Sequence, residues 1–301
     1  MIGMLALLQL TAASPRTVAP GMTLRVAPDT VLVERSAVTT GARYLNFDFL
    51  ITNGSGSERR LAAVRLSARD ARGGLVYQRF CDGSGFSPCI AAVPERQLAA
   101  TESAALYNPF HTLPGDIPLA TLEYELIYTD SAGTATDTLR ATITPREYAN
   151  RTDLVLPLRG RLLVFDGHDF YAHHRRWPLS HPILQRLGFA GNGGRYAYDL
   201  SIVDSVGRMF RGDGARNEDW YGWNAPVLAP GGGIVVAAAN DEPDWDVGRT
   251  SLPDSVIMAR PLSLFGNYVV IDHGNGEYSL VAHMRRGSIR VQRAARVAQG
   301  E

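Results

Sequence analysis

Short segments that alternate hydrophobic and polar residues recur between residues 22 and 146, and polar turns separate them. The clearest, YLNFDFLI at residues 44–51, has the period of two that is typical of a half-buried β-strand. Asn53-Gly54, Gly73-Gly74 and Ala132-Gly133 fall between such segments and predict hairpin turns. Strands separated by turns at about ten-residue intervals predict an immunoglobulin-like β-sandwich over residues 22–146.

The pattern changes after residues 147–160, which predict a linker because prolines punctuate this part of the chain at Pro145 and Pro157. Six of the seven histidines follow residue 160, in a region rich in glycine and tryptophan. Within it, residues 266–284 predict a β-hairpin that turns at Asn275-Gly276. The sequence therefore predicts an all-β protein, with the sandwich followed by a second, antiparallel β-sheet domain over residues 161–301.

The composition of the chain argues against several classes of protein. The 301 residues are 45% hydrophobic and 20% charged, which excludes a mainly disordered chain. Lys+Arg and Asp+Glu are 30 each, so the net charge of zero gives no support for a nucleic-acid partner. There is no run of 18 apolar residues, and we therefore expect no stable membrane span.

Two features favour a periplasmic or extracellular location. Residues 1–14 resemble an export signal, with an apolar stretch followed by small residues, although the basic start is missing and an apolar strand is the alternative. Cys81 and Cys89 flank a loop of Gly, Ser and Pro that a disulfide could close, and two free thiols are the alternative.

The strand RYAYDLSIVD carries a candidate ligand, Asp199. Alternation puts the bulky Tyr196, Tyr198, Leu200 and Ile202 on one face, which predicts that this face is core. Asp199 then projects from the other face among small residues, where a metal ion, an arginine or an edge position would satisfy its carboxylate.

His283 ends the second strand of the predicted hairpin, and alternation places it on one face with Ser279 and Val281. A histidine there is either a structural residue or one available for chemistry.

Three stretches in this order, RYAYDLSIVD, NAPVLAPGGGIVVAAAND and GNYVVIDHGNGEYSLVAHM, resemble the lysostaphin-type (LytM-like) zinc metalloendopeptidases. The resemblance covers residues from about 161 to 301. It implies a mostly antiparallel β core that holds one Zn²⁺. It also implies hydrolysis of peptide bonds, in peptidoglycan cross-links or in a protein substrate, by metal-activated water.

The resemblance assigns Asp199 as a zinc ligand and His283 as a catalytic residue, with Val281 where the family usually has tyrosine. The family's first ligand histidine normally lies four residues before the aspartate, where this chain has Arg195. We therefore take His174 as the first ligand, with His173 as the alternative and His181 as a third choice; His168 is expected in a loop. Asp166, Asp169 or Asp204 could orient a ligand histidine.

The resemblance also implies a His-x-His pair, which this sequence lacks. We therefore expect an incomplete copy of the peptidase domain, with weak zinc binding unless a residue such as His273 substitutes. The runner-up function is a non-catalytic relative that binds the cell wall or regulates another hydrolase. A third possibility is a structural adhesion module based on residues 22–146.

Overall fold

The computed structural model describes residues 21–35, 41–134, 136–167, 170–186, 188–249 and 251–301. The predicted export segment, residues 1–14, lies outside these ranges, as do His168 and Asp169. The described chain is nearly all β, as the hydrophobic pattern predicts. Every helix in these ranges is too short or too polar to span a lipid bilayer.

The chain divides into two compact units. The first comprises residues 1–148 and 176–195, and the second comprises residues 149–175 and 196–301. The change of unit near residue 148 falls inside the predicted linker. Residues 176–195, which the sequence analysis assigns to the second domain, group with the first unit.

The first unit contains twelve strands among its described residues, the short helix α1 and two 3-10 helices. The strands are β1 Met22–Ala27, β2 Leu32–Arg35, β3 Ala42–Leu45, β4 Asp48–Asn53, β5 Arg59–Arg69, β6 Leu75–Cys81, β7 Gln97–Leu98, β8 Ser103–Tyr107, β9 Thr112–Pro114, β10 Thr121–Thr129, β11 Thr136–Ile143 and β12 Arg146–Glu147. The helices are α1 Pro182–Arg186 and the 3-10 turns Cys89–Ala92 and Pro94–Arg96.

These strands form three sheets, with orders β1-β4-β8, β11-β10-β5-β6 and β12-β2-β3-β9, and β7 pairs with β5. β10 shows why they assemble, because its alternate residues Leu122, Tyr124, Leu126 and Tyr128 are all buried. They join a large apolar cluster to which most strands of this unit contribute. Removing this apolar area from water is the main stabilising contribution to the unit.

Two of the three turns predicted here are confirmed. Gly73-Gly74 lies in the β5–β6 hairpin, and Ala132-Gly133 lies in the β10–β11 hairpin. The hairpin predicted at Asn53-Gly54 is wrong, because β4 pairs with β1 and β8 whereas β5 pairs with β10, β6 and β7.

Tertiary contacts override the Asn-Gly signal. The buried Asn53 side chain donates to the carbonyls of Ser57, Leu98 and Ala99, which ties the connection down as it crosses between sheets. A Cβ on Gly54 would lie 2.5 Å from the Gly21 carbonyl oxygen, so this glycine serves a close backbone approach.

Cys81 and Cys89 form a disulfide and are not free thiols. Cys81 ends β6 and bonds Cys89, which closes the loop between them. The bond is compatible with an oxidising compartment.

The second unit contains six strands among its described residues, the helix α2 and two 3-10 turns. The strands are β13 Leu162–Asp166, β14 Asp199–Ile202, β15 Gly233–Ala239, β16 Asn267–Asp272, β17 Tyr278–Met284 and β18 Arg296–Val297. The helices are α2 Asp254–Ala259 and the 3-10 turns Asn217–Asp219 and Pro261–Phe265.

β13 pairs only with β14 among the described strands, and the other four form the antiparallel order β17-β16-β15-β18. The hairpin predicted at Asn275-Gly276 joins β16 to β17, and Gly276 takes the left-handed φ of 89° that the turn requires. Ala229, Val235, Val269, Ile271 and Val297 form the small buried cluster under this sheet.

The core face predicted for the Asp199 strand is wrong at its start. Tyr196 and Tyr198 are 41% and 52% exposed. β14 begins only at Asp199, so the alternation read back to Tyr196 describes residues that are not in the strand.

Candidate metal centre

An irregularity in the two-stranded sheet positions the predicted ligand aspartate. Val164 of β13 pairs with Leu200 of β14, but the next pair is Asp166 with Asp199, so Phe165 is the extra residue of a β-bulge. Bulges redirect side chains and are frequent beside functional sites. This one puts the two carboxylates, Asp166 and Asp199, on paired residues at one end of the sheet.

Both candidate histidines converge on Asp199. His174 Nε2 lies 3.0 Å from Asp199 Oδ1, and His173 Nε2 lies 3.5 Å from Asp199 Oδ2. The two rings lie side by side, with centroids 4.0 Å apart. One donor atom from each of the three residues lies within 4.8 Å of the others. His173 and His174 were predicted as alternative ligands, whereas the structure brings both of them to Asp199.

Asp166 fixes the orientation of His173. Its Oδ2 accepts hydrogen bonds from His173 Nδ1 and from the His173 backbone N–H, the latter at 3.1 Å. Because a carboxylate can only accept, Nδ1 must carry the proton, and in the neutral ring the Nε2 lone pair then points toward Asp199. This carboxylate–imidazole pairing is the arrangement that orients metal-ligating histidines.

The pKa of Asp166 is lowered from 3.8. Burial opposes this change, but the hydrogen bonds from the backbone of His173 and Gly167, together with the His173 imidazole, outweigh it. Asp166 therefore stays a carboxylate well into the acid range and remains an acceptor for His173.

This donor set fits zinc. Zinc sites of hydrolases use three protein ligands drawn from imidazole nitrogens and carboxylate oxygens, and they keep one position open. His173, His174 and Asp199 supply two imidazoles and one carboxylate, and Asp166 supplies the outer contact. Zinc would replace the proton that now links His174 Nε2 to Asp199, so its affinity should fall with falling pH.

His283 lies on a second bulge, in the β16–β17 pair. Asn267 pairs with Met284 and Val269 with Val281, so Tyr268 alone is opposite both Ala282 and His283. His283 takes a positive φ of 59°, which is uncommon for a residue with a side chain and marks local strain. The predicted common face with Ser279 and Val281 is therefore wrong for His283, because the extra residue breaks the alternation.

Two of the three donors, Asp199 and His174, act electrostatically on His283. Desolvation by neighbouring protein atoms lowers its pKa from 6.5, the Asp199 carboxylate acts to raise it, and His174 acts to lower it. The net effect keeps the imidazole neutral near pH 7, as a general base requires.

Other predicted candidates take different roles. His181 Nδ1 accepts from the Ile183 backbone N–H at the start of α1. His273 bonds the Gly232 carbonyl through Nδ1 and the Ser279 hydroxyl through Nε2, both at 2.8 Å. Neither belongs to the three-residue donor group identified among the described residues, so neither substitutes for a missing ligand there.

Arg195, at the position where the family has its ligand histidine, donates from Nη1 to the Asn192 carbonyl oxygen. Asp204 accepts from the backbone and side chain of Arg208. Of the three aspartates considered as orienting residues, Asp166 takes that role, and Asp169 lies outside the described residues.

Sequence reasoning misses two residues around His283. Gly266, with a φ of 55°, lies against it, since a Cβ there would be 3.7 Å from His283 Nδ1. The buried Asn267 donates from Nδ2 to the carbonyls of Glu242 and Met284, and its Oδ1 accepts from Glu242 N–H. The sequence carried one signal for Asn267, because it is a polar residue at the start of a strand whose next four residues are mainly apolar.

Comparisons with known proteins identify no family. No protein-family model matches the chain, and no curated protein matches it. Seven chains among solved structures match. One, a Northeast Structural Genomics Consortium target, is 12% identical over 43% of this chain and 86% of its own, with a TM-score of 0.29. Another, a Bordetella pertussis protein named ApaA, is 14% identical over 44% of this chain and 96% of its own, also with a TM-score of 0.29. Likenesses this distant support no inference about the function.

Proposed function

We propose that this protein is a zinc-dependent endopeptidase of the lysostaphin type that hydrolyses peptide bonds in peptidoglycan cross-links. The observation that supports the proposal is the convergence of His173, His174 and Asp199, with donor atoms within 4.8 Å of one another. His174 and Asp199 lie 25 positions apart along the chain, which makes their meeting at one point a property of the fold.

In this proposal His173, His174 and Asp199 hold the ion, and Asp166 keeps the proton of His173 on Nδ1, away from it. Zinc, when bound, supplies a Lewis acid and lowers the pKa of water. His283 does not join the donor group; its neutral imidazole accepts a proton from the attacking water. Asp166, Asp199 and His283 lie on bulged strands, and His173 and His174 lie in a turn of the β13–β14 connection.

The Cys81–Cys89 disulfide supports the further proposal that the protein works in the periplasm or outside the cell.

A second candidate is a non-catalytic relative that binds cell wall or regulates another hydrolase. Arg195 favours it, because this arginine stands at the family's usual ligand position and donates to Asn192 instead. Such a protein would bind peptidoglycan without cleaving it.

Metal content and hydrolysis together distinguish these functions. We expect the purified full chain to bind about one zinc ion by elemental analysis, and to release peptide fragments from purified peptidoglycan. His174→Ala and Asp199→Ala should lose both properties. His283→Ala should keep zinc and lose hydrolysis.

Asp204→Ala is the matched carboxylate control, since Asp204 binds Arg208 and should affect neither property. A folded chain without zinc at micromolar free metal would contradict the proposal. A zinc-loaded chain that binds peptidoglycan without cleaving it would favour the second candidate.

A further inference from the structure

A cavity beside His283 is not used by the chemistry described above. It has a volume of about 250 Å³ and is lined by Ala239, Glu242, Arg260, Pro261, Leu262, Ser263, Gly266 and Tyr268. Pockets for drug-sized ligands start at roughly 300 Å³, so this one has the size for a single side chain and its backbone.

The cavity and His283 share a wall. Gly266 lines the cavity, and its absent Cβ leaves space 3.7 Å from His283 Nδ1. Tyr268, on another wall, lies opposite the bulge that contains His283. Asn267, between them, ties Glu242 of the cavity to the carbonyl of Met284, the residue after His283. A group in the cavity is therefore next to the residue proposed to move the proton.

The charges of the cavity already satisfy each other. Arg260 Nη1 donates to Glu242 Oε1 at 2.5 Å, and the Glu242 side chain is only 15% exposed. The remaining walls are mainly aliphatic or aromatic. A charged side chain entering this space would lose hydration without gaining an unpaired counter-charge, which disfavours it.

One polar group in the cavity remains available. Ser263 is 4% exposed, and its hydroxyl oxygen makes no hydrogen bond within the part of the chain that the structure describes. A buried hydroxyl without a partner is destabilising, so an occupant that offers one hydrogen-bonding atom would gain from this contact.

We propose that this cavity is a specificity subsite that accepts one uncharged, mainly aliphatic side chain of the substrate, next to the bond that is cut. This inference rests on the proposed peptidase function. Ser263 bonds a polar atom of the bound residue, and the Arg260–Glu242 pair excludes lysine-like and glutamate-like side chains.

The first test measures binding without catalysis. ¹⁵N-labelled full chain, as wild type and as zinc-free Asp199→Ala, is titrated with N-acetyl-leucinamide and with N-acetyl-lysinamide. We expect the leucine probe to shift the amide signals of Ser263, Gly266 and Tyr268 in both proteins, and the lysine probe to leave them in place. Equal shifts with both probes, or none with either, would overturn the proposal.

Ala239→Leu fills the cavity and should abolish those shifts. Ala238→Leu is the matched control, because Ala238 is the exposed neighbour on the same strand and should leave them unchanged. If the two variants respond alike, the cavity is not where the probe binds.

Arg260→Gln should reverse the charge preference. It leaves the Glu242 carboxylate without its cation, and we expect lysine-probe affinity to rise about tenfold while leucine-probe affinity falls. Unchanged preference in this variant would contradict the role of the ion pair.

Hydrolysis separates this inference from the proposed function. In an active protein, Ala239→Leu should raise KM about tenfold for peptides with leucine next to the cut bond, with little effect on glycine peptides and on kcat. If no hydrolysis is found but the leucine probe binds as expected, the peptidase proposal fails, and the cavity stands only as a binding site for an uncharged aliphatic side chain. If hydrolysis occurs with unchanged side-chain preference in Ala239→Leu, the subsite proposal fails alone.

Discussion

The two units use their apolar residues differently. In the first unit β10 has a partner strand on each side, and Leu122, Tyr124, Leu126 and Tyr128 are buried along it. In the second unit β13 pairs with β14 alone among the described strands, and Leu163, Val164 and Phe165 are 39%, 49% and 59% exposed.

The difference shows where each unit has room for chemistry. A densely packed core leaves no space for an unpaired charge or an open coordination position. The two-stranded sheet, with its bulge and thin covering, instead presents carboxylates and imidazoles to solvent at one edge. We therefore expect stability to depend mainly on the first unit's core, and metal binding on the second unit's side chains.

The largest expected effect is on stability, from Leu66→Ala. Leu66 is fully buried in β5, between β10 and β6. Removing its side chain loses transfer free energy and leaves a cavity, so the free energy of unfolding of the first unit should fall by about 2–5 kcal/mol. Urea unfolding followed by circular dichroism measures this loss.

Leu75→Ala is the control for that experiment, because Leu75 is 53% exposed on the edge strand β6. It should change stability by less than about 0.5 kcal/mol. Zinc affinity of the folded protein should be the same in both variants. A loss of zinc binding in Leu66→Ala while the protein stays folded would break the division of roles between the units.

The next effect is on metal affinity, from Asp166→Asn. The amide can donate as well as accept, so it no longer holds the proton of His173 on Nδ1. Zinc affinity should fall about 10- to 100-fold, measured by competition with a chromogenic chelator. Asp204→Asn is the matched control. If Asp166→Asn binds zinc as tightly as wild type, Asp166 does not orient a ligand.

Sequence periodicity predicted the first unit better than the second. The turns predicted at Gly73-Gly74 and Ala132-Gly133 join paired strands of one sheet. The alternating segment 44–51 was predicted as one strand, but it is divided between β3 and β4, which belong to different sheets. The Asn53-Gly54 signal failed because the buried Asn53 side chain bonds distant carbonyls, Leu98 and Ala99, that local sequence does not reveal.

The candidate site was predicted in part. The resemblance singled out Asp199, His173, His174 and His283. The structure brings the first three together, and Asp199 and His174 both act on the pKa of His283. Alternation misplaced the bulky face of the Asp199 strand and the face of His283. Bulges caused the second error, since one extra residue reverses the parity on which such reasoning depends.

The units should also differ in their response to pH, and the first responds on the alkaline side. Burial raises the pKa of the Tyr124 and Tyr128 hydroxyls well above the usual 10. In the unfolded chain both ionise near pH 10, whereas in the folded unit they stay protonated. The stability that depends on these two protonated hydroxyls is therefore fully present below pH 10 and decreases as the pH rises above 10.

The expected loss above pH 10 is about 1.4 kcal/mol per pH unit for each tyrosine. Urea midpoints measured at increasing pH test this slope. Tyr128→Phe should unfold with a shallower alkaline decline than wild type, whatever its stability at pH 7. Parallel declines in the two proteins would show that burial of this hydroxyl is not the cause.

The smallest expected effect is on the acid side of the second unit. Because the pKa of His283 lies below 6.5 in the folded state, the unfolded state takes up this proton first as the pH falls. Stability present above pH 6.5 is therefore lost as the pH falls from 6.5 toward the folded pKa. His283 is exposed, and solvent screening should keep the loss under about 1 kcal/mol.

His283→Gln should remove this pH-dependent loss of stability in urea titrations between about pH 5 and pH 8. If His283→Gln loses as much stability as wild type between pH 6.5 and pH 5, other groups cause the loss. The lowered pKa of His283 would then be contradicted.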